Sequence, residues 1–264
     1  MEQFADKVVW ITGASSGIGK ALTYALNKKG NRLIISSRNE SELLEVKRGC
    51  LYPEKVEVLP LDLSKFEEMT SKVHAAIETF GSVDILVNNA GISQRSLIID
   101  TDFEVYKRLI DINYLGTVAL SKAILPHFIS KAEGHYVVVT SLMGKFGSPL
   151  RSGYCAAKHA LHGFFDVMRM EHQKDGIDVT MICPGFVQTN IAVNALIADG
   201  SLKNTNDSAT ASGMPADVFA GKMMKAMVAK KYEAYIGRKE VKGVYLKRFF
   251  PKLLHKVVLR SQVV

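Results

Sequence analysis

Three residues that could move a proton lie close together in the stretch SLMGKFGSPLRSGYCAAK, which runs from Ser141 to Lys158. If this stretch ends in a helix, Tyr154 and Lys158 start roughly 5–6 Å apart on one face, because they are separated by about one turn. A buried ammonium group there favours the phenolate form of tyrosine, whose unperturbed pKa is about 10. We therefore expect Lys158 to lower the pKa of Tyr154, so that the phenol can act as a general acid or base near neutral pH.

Ser141 follows the run YVVVT, whose strand-forming residues predict a strand that ends just before the serine. Open α/β sheets bind ligands at the carboxyl ends of their strands, so the Ser141 hydroxyl is placed to hydrogen-bond a reacting oxygen. Tyrosine and lysine at this spacing also occur by chance on many helices. The catalytic interpretation therefore depends on the rest of the chain.

A glycine-rich turn follows the first apolar run. Residues 7–12, KVVWIT, are typical of a buried parallel strand, and Gly13, Gly17 and Gly19 come soon after it. Glycine lets the backbone turn tightly and approach a ligand, while a helix amino terminus presents free N–H groups to a phosphate. The turn predicts a dinucleotide site at the start of a helix over residues 17–30, although such turns are also found as purely structural features.

The spacing of Ser141, Tyr154 and Lys158, together with TGASSGIG, NNAG and the later PG, resembles the short-chain dehydrogenase/reductase family. The resemblance runs from about Lys7 to Tyr235. It implies a single-domain, Rossmann-like α/β fold, that is, a doubly wound parallel sheet of about seven strands with helices on both faces. It also implies an oxidoreductase that transfers hydride between a nicotinamide cofactor and a secondary alcohol or carbonyl compound, with Tyr154 as general acid/base.

The resemblance also implies roles for single residues. Asn113, in NYLG, would join Ser141, Tyr154 and Lys158 as a fourth catalytic residue, holding a water that passes protons to Lys158. A buried asparagine is otherwise usually a satisfied core amide. Asp62 would contact adenine, or it caps the helix predicted from residue 64. The cofactor-binding residues implied in this way are Gly13, Ser15, Ser16, Gly17, Ile18, Gly19, Arg38, Asp62, Leu63, Asn89, Ala90, Gly91, Tyr154, Lys158, Pro184, Gly185, Val187 and Thr189.

The end of the second predicted strand, NRLIISS, bears on the choice of cofactor. NAD-binding proteins tend to place an acidic residue there, which accepts a hydrogen bond from the ribose 2′-hydroxyl. This chain has Ser37 followed by Arg38, and a planar guanidinium suits a 2′-phosphate. We therefore favour NADP(H) and leave NAD(H) open, since Arg38 could also be a solvated residue at the end of the strand.

The loop between Ser141 and Tyr154 is mostly apolar, with Leu142, Met143, Phe146, Pro149 and Leu150. An apolar loop beside the reacting group favours a lipophilic substrate. Residues 190–214 are small and polar, which predicts a mobile lid over that substrate. The expected substrate contacts are Ser141, Met143, Leu150, Tyr154 and Phe186.

The charge of the chain is concentrated at its carboxyl end. We expect residues 1–237 to form one Rossmann-type catalytic domain, while residues 238–264 hold eight Lys/Arg and Glu240, a net +7 out of +8 for the whole chain. Apolar residues recur there at helical spacing, so residues 242–264 either contact an anionic membrane or pack on protein with the lysines in water. A nucleic-acid reader usually spreads its charge over a folded face, so we expect no nucleic-acid partner.

The remaining features narrow the class of protein. The three cysteines and seven histidines lack ligand or disulfide spacing, so we expect reduced thiols and no catalytic metal. MEQFADK is unlike a signal or transit sequence, and no apolar run is long enough to span a membrane. We therefore expect a cytoplasmic protein, with peripheral association with a membrane as the alternative. By resemblance, helices over residues 103–131 and 152–175 would build a homodimer or homotetramer. The alternative to an enzyme is a catalytically silent NADP(H)-binding sensor or a membrane-associated scaffold.

Overall fold

The computed structural model describes residues 6–261, which form a seven-stranded parallel sheet covered by helices on both faces. The strands are β1 (Val8–Thr12), β2 (Arg32–Ser36), β3 (Val56–Val58), β4 (Ile85–Asn88), β5 (Gly134–Val139), β6 (Ile177–Pro184) and β7 (Glu233–Ile236). The helices are α1 (Gly17–Asn27), α2 (Glu40–Arg48), α3 (Met69–Phe80), α4 (Phe103–Ile110), α5 (Gly116–Ser130), α6 (Ser152–Glu171), α7 (Ser208–Ala211), α8 (Ala216–Val228), α9 (Lys242–Phe249) and α10 (Pro251–Arg260).

The strand order is β3-β2-β1-β4-β5-β6-β7, and every pair is parallel. The chain moves outward from β1 to β3 and then returns to place β4 on the other side of β1. Such a reversal leaves a crevice at the carboxyl ends of the two central strands, where doubly wound folds bind ligands. The predicted fold class is confirmed.

The sheet is buried on both faces because its strands carry apolar side chains at successive positions. In β1, Val9 and Ile11 face one core with α1, α2 and α8, while Val8 and Trp10 face the other core with α3, α5 and α6. Side chains alternate between the faces of a strand, so a continuous apolar run fills both cores. This burial holds the carboxyl ends of the strands in register.

The long helix predicted over residues 103–131 contains a change of helical type. A π-helical turn, Asp111–Leu115, joins α4 to α5, and Asn113 lies within it. A π turn inserts extra backbone into a helix and is frequent at functional sites. It follows that Asn113 occupies the one irregular turn of an otherwise continuous helix.

The helix predicted from residue 64 begins later than expected, at Met69. Asp62 does not cap α3. Its Oδ1 accepts hydrogen bonds from the backbone N–H and the hydroxyl of Ser64, at 2.9 Å and 2.8 Å, and so closes a local turn. Such Asx turns compete with helix formation. The helix-capping alternative for Asp62 was therefore wrong.

Residues 190–214 are more firmly anchored than their small, polar composition suggests. The backbone of Leu196 pairs with the loop after β4, because its N–H donates to Ser93 at 2.9 Å and its carbonyl accepts from Arg95 at 2.8 Å. Asp207, in the same segment, is buried. Backbone pairing and a buried charge thus compensate for the lack of large apolar side chains.

The carboxyl-terminal helices α9 and α10 pack against the loop after β5. Leu254 joins Leu142, Phe146 and Cys183 in a small apolar cluster, and a Cβ at Gly243 would lie 2.8 Å from the Phe146 ring. Leu142 and Phe146 therefore support the tail and do not line the cleft, contrary to the sequence-based interpretation of this loop. No helix in the described part of the chain has the length and apolar character needed to cross a membrane.

Candidate active site

A cleft of about 1020 Å³ opens at the carboxyl ends of the central strands. Most predicted site residues line it, and Gly19, Asn113 and Leu150 do not. Leu150 has a positive φ of 66°, and its carbonyl accepts a hydrogen bond from Ser96 N–H at 3.1 Å. This hydrogen bond holds the backbone of the loop before α6, and a substrate contact by Leu150 stays a prediction.

The glycine turn after β1 packs directly against the NNAG loop. Gly13 has φ +65°, and a Cβ there would lie 2.8 Å from Ala90 Cα. A Cβ at Gly19 would lie 2.3 Å from the Gly13 carbonyl oxygen, so this position excludes any side chain. Gly19 is buried beneath the turn and shapes the cleft without lining it.

Thr12, at the end of β1, fastens this turn to the NNAG loop. Its hydroxyl accepts hydrogen bonds from the N–H groups of Asn89 and Ala90, at 3.0 Å and 3.1 Å. Asn89 Nδ2 in turn donates to the carbonyls of Thr12 and Gly13, at 2.9 Å and 3.1 Å. Nothing local in the sequence indicates this role for Thr12.

The start of α1 is suited to an anion. Ser16 is the N-cap residue, and its side chain makes no capping hydrogen bond. The Ser15 and Ser16 positions line the cleft together with Gly17 and Ile18. Free N–H groups and hydroxyls at a helix amino terminus attract phosphate. This part of the cleft therefore fits the pyrophosphate of a dinucleotide.

Arg38 lies at the end of the cleft beyond β2. It is exposed and lines the cleft together with Ser37 and Asp62. Burial opposes ionisation of Asp62, yet the hydrogen bonds from Ser64 and the charge of Arg38 lower the pKa of this carboxyl overall. Arg38 and Asp62 are therefore electrostatic neighbours, and a cation is available where a ribose phosphate would lie.

Ser141, at the end of β5, meets Tyr154 on α6 as expected. The Ser141 hydroxyl accepts a hydrogen bond from Met143 N–H at 3.0 Å and lies close enough to the Tyr154 phenol to have a lowering effect on its pKa. The start of α6 is held by Gln94, whose side-chain oxygen accepts from Gly153 N–H at 2.8 Å. Gln94 is fully buried, and sequence reasoning had not singled it out.

The pKa of Tyr154 departs from the expectation. Burial raises it, while the neighbouring Ser141 hydroxyl and the charges of Arg95 and Arg151 act in the opposite direction. Lys158 Nζ lies 5.8 Å from the centre of the Tyr154 ring and donates a 2.9 Å hydrogen bond to the Val139 carbonyl. The predicted lowering by Lys158 is therefore not found: burial raises the pKa of the phenol, and the groups that oppose this rise are Ser141, Arg95 and Arg151.

Lys158 is itself strongly perturbed. Its side chain is buried, and this burial lowers its pKa to about 8. Loss of water around an ammonium disfavours the charged form. Lys158 is therefore close to its titration point near neutral pH, which suits a group that exchanges protons with its surroundings.

Asn113 binds backbone from within its π turn. Its Oδ1 accepts from Ile92 N–H at 2.8 Å, and its Nδ2 donates to the Ile92 carbonyl at 3.0 Å. A Cβ at Gly91 would lie 2.7 Å from Asn113 Oδ1 and 3.5 Å from Lys158 Nζ. The side chain therefore fixes the NNAG loop beside Lys158, and its part in a proton relay stays a prediction.

Glu240, in the carboxyl-terminal part of the chain, contacts the PG segment at the end of β6. Glu240 Oε1 accepts from Phe186 N–H at 3.1 Å, and a Cβ at Gly185 would clash with the same carboxylate at 2.1 Å. Pro184, Gly185, Phe186, Val187 and Thr189 all line the cleft. The sequence did not connect Glu240 with this segment.

A buried ion cluster adjoins the cleft beside Tyr154. Arg95 and Arg151 both line the cleft, and both donate hydrogen bonds to the Asp207 carboxylate. Lys203 Nζ donates a further hydrogen bond to the same carboxylate. None of these four residues was predicted as a site residue. Within residues 6–261, no group of three or more His, Cys, Asp and Glu side chains is placed to hold a metal ion.

Comparison with known proteins agrees with this fold and site. The sequence model described as "short chain dehydrogenase" matches residues 7–199. Since this covers more than half of the chain, the protein belongs to the short-chain dehydrogenase/reductase family, a family of oxidoreductases.

Curated relatives carry the same family name. The chain is 50% identical over 203 residues to human "Dehydrogenase/reductase SDR family member 7", covering 75% of this chain and 60% of the relative. It is 41% identical over 256 residues to the mouse protein of that name, covering 94% of this chain and 76% of the relative. The match thus spans less than two thirds of the human protein.

Solved structures share the fold at low sequence identity. A short chain dehydrogenase/reductase from Burkholderia phymatum, described as in complex with NAD, has a TM-score of 0.83 at 22% identity, covering 100% of this chain and 98% of that one. A short-chain dehydrogenase from Streptomyces avermitilis has a TM-score of 0.82 at 24% identity, covering 97% and 99%. These likenesses concern the fold alone.

Proposed function

We propose that the protein is an NADP(H)-dependent oxidoreductase that transfers hydride between the cofactor and a lipophilic secondary alcohol or carbonyl compound. The observation that carries this proposal is that Ser141, Tyr154 and Lys158, the last two one helical turn apart, line a cleft that also contains the glycine turn. A proton donor and a phosphate cradle in one cleft are what carbonyl reduction by a nicotinamide requires.

Each side chain has a defined task in this proposal. In the reductive direction Tyr154 gives its proton to the substrate oxygen, and the Ser141 hydroxyl steadies that oxygen. Lys158 binds the ribose hydroxyls and returns a proton towards Tyr154, with Asn113 completing the path. The nicotinamide cofactor, when bound, supplies the hydride. Because burial raises the Tyr154 pKa, the phenol keeps its proton at neutral pH and is in the form that can donate it to a carbonyl oxygen.

The cofactor is proposed to be NADP(H), with NAD(H) as the alternative. Support comes from Arg38, whose guanidinium lies at the cleft end beyond β2 and acts on the Asp62 carboxyl. The residues suited to the pyrophosphate are Ser15, Ser16, Gly17 and Ile18. Leu63 and Asp62 suit the adenine, and Val187 and Thr189 suit the nicotinamide end.

The domain and partner assignments are also proposals. Residues 1–237 would form the catalytic domain with residues 190–214 as substrate lid, and Met143 and Phe186 would contact the substrate. A homodimer or homotetramer is proposed from the family resemblance. A cytoplasmic location is proposed, with peripheral membrane contact through residues 242–264, of which 262–264 lie outside the described residues.

A carbonyl panel tests the function directly. We expect purified protein to oxidise NADPH with at least some steroid, retinoid, fatty acyl, sugar or xenobiotic carbonyls, and to use NADPH better than NADH. Tight NADPH binding without turnover of any of these carbonyls would refute the reductase and favour the catalytically silent sensor.

A further inference from the structure

Two arginine side chains outside the proposed proton-transfer group line the cleft near Tyr154. Arg95 follows β4 and Arg151 directly precedes α6, and the exposed fractions of their side chains are 6% and 5%. Both charges lie close enough to the Tyr154 phenol to act on its ionisation. Buried arginines are uncommon unless paired, and these two flank the reacting group.

Asp207 holds both arginines in place. Its side chain is fully buried, and it accepts from Arg95 Nε at 2.8 Å and from Arg151 Nη2 at 3.4 Å. Its other oxygen accepts from Lys203 Nζ. A buried charge is costly unless it is paired, so Asp207 depends on these bonds. One carboxylate is therefore shared by three cationic side chains.

The electrostatics of this wall favour an incoming anion. Burial and the neighbouring charge of Arg95 lower the pKa of Arg151 to about 10, which shows that the two guanidinium groups repel each other. Such repulsion is strong where water is scarce. Within the described chain, the acidic residues that line the cleft are Glu40, Glu42 and Asp62, and they follow β2 and β3 at the opposite end.

Apolar side chains line the same cleft, namely Met143, Ile191, Leu196 and Leu202, beside polar residues such as Ser93 and Asn194. The carbonyl of Leu196 accepts a hydrogen bond from Arg95 N–H at 2.8 Å, which places this apolar residue next to the arginine. An apolar wall with fixed cations suits a ligand that has an apolar body and an anionic group. We propose that Arg95, together with Arg151, selects carbonyl substrates that carry an acidic group such as a carboxylate. This inference rests on the proposed reductase function.

The test compares a matched series of keto acids with their methyl esters, in which apolar spacers of increasing length separate the carbonyl from the acid. With NADPH, we expect kcat/KM for at least one acid to exceed that of its ester by about tenfold or more, the strength of one charged hydrogen bond. Equilibrium binding of the same acids and esters is measured alongside, because it does not depend on turnover.

Three variants locate the effect. Arg95→Gln should reduce the acid-to-ester ratio to about one, while Asp207 keeps its bonds from Arg151 and Lys203. Because loss of a buried ion-pair partner is destabilising, turnover of a neutral ketone and thermal unfolding check that this variant is folded. Arg95→Lys keeps the charge and should keep most of the preference. Arg48→Gln removes the same charge from the exposed surface of α2 and should leave the ratio unchanged.

The outcomes separate this inference from the function on which it rests. If neutral ketones are turned over and kcat/KM for the esters equals or exceeds that for the acids at every spacer length, the acid preference is refuted. The proposed reductase function would still stand. Acid binding that depends on Arg95 without turnover of any carbonyl would support the anion site and refute the reductase. An unchanged acid preference in Arg95→Gln would refute the assignment to Arg95.

Discussion

Lys158 Nζ lies 5.8 Å from the centre of the Tyr154 ring. It donates a hydrogen bond to the Val139 carbonyl at the end of β5, 2.9 Å away. The two residues are therefore neighbours on α6, but burial dominates the ionisation of both. It raises the pKa of the phenol and lowers that of the ammonium.

Tyr154→Phe should keep cofactor affinity and lose about 10²- to 10⁴-fold in kcat, because it removes one general acid and little volume. Steady-state kinetics on any reduced carbonyl, with NADPH titration by fluorescence, measures both quantities. Tyr52→Phe, the same change on the protein surface, should leave both kcat and cofactor affinity unchanged. Near-normal turnover of Tyr154→Phe would refute the proposed proton donor.

The Lys158 pKa of about 8 predicts a pH-dependent stability difference. Between about pH 8 and pH 10.5 the unfolded chain binds more protons at Lys158 than the folded protein does, so the folded state gains stability as the pH rises. Below that window the folded protein bears the full cost of a buried ammonium.

Lys158→Met removes this cost and serves as the reference. The free energy of unfolding is measured with urea at pH 7 and pH 10. The value for wild type, relative to that of Lys158→Met, should rise by up to about 3 kcal/mol between the two pH values. A difference in unfolding free energy that stays constant between the two pH values would contradict the lowered pKa.

Arg38→Gln should weaken NADPH selectively. Loss of a guanidinium beside a 2′-phosphate should lower the ratio of kcat/KM for NADPH over NADH by about ten- to hundredfold. NADH kinetics should change little. Arg48→Gln, on the exposed side of α2, is the matched control. An unaltered ratio would mean that Arg38 is a solvated residue at the end of β2.

The corner between α9 and α10 offers the test of membrane contact. Phe249 and Phe250 are 68% and 63% exposed, next to Lys247, Arg248 and Lys252. Exposed aromatics flanked by basic residues suit an anionic lipid surface. The double variant Phe249→Ser with Phe250→Ser should lose binding to phosphatidylserine vesicles in co-sedimentation while cofactor binding persists.

Point variants are preferable to deletion here, because α10 covers Phe146 through Leu254. Phe103→Ser, an equally exposed aromatic on α4, is the control and should bind vesicles as wild type does. If the double variant binds as well as wild type, or if wild type binds neutral vesicles equally, the tail is a packing element of the fold.

The glycine turn and the Tyr154–Lys158 pair could be predicted because each depends on residues close in sequence. Helical spacing alone places Tyr154 and Lys158 on one face, and a strand followed by glycines determines a turn that can approach a ligand. The burial of β1 on both faces likewise follows from its continuous apolar run. Local patterns of this kind therefore predicted the fold class, the family and 20 of the 42 residues that line the cleft.

The contacts that hold the cleft wall in place join residues far apart in sequence, and they depend on the three-dimensional fold. Thr12 meets Asn89 across 77 positions, Arg95 meets Asp207 across 112, and Gln94 meets Gly153 across 59. No local periodicity encodes such pairs. The same applies to ionisation, because a pKa depends on burial and on charges that other elements supply, as at Tyr154.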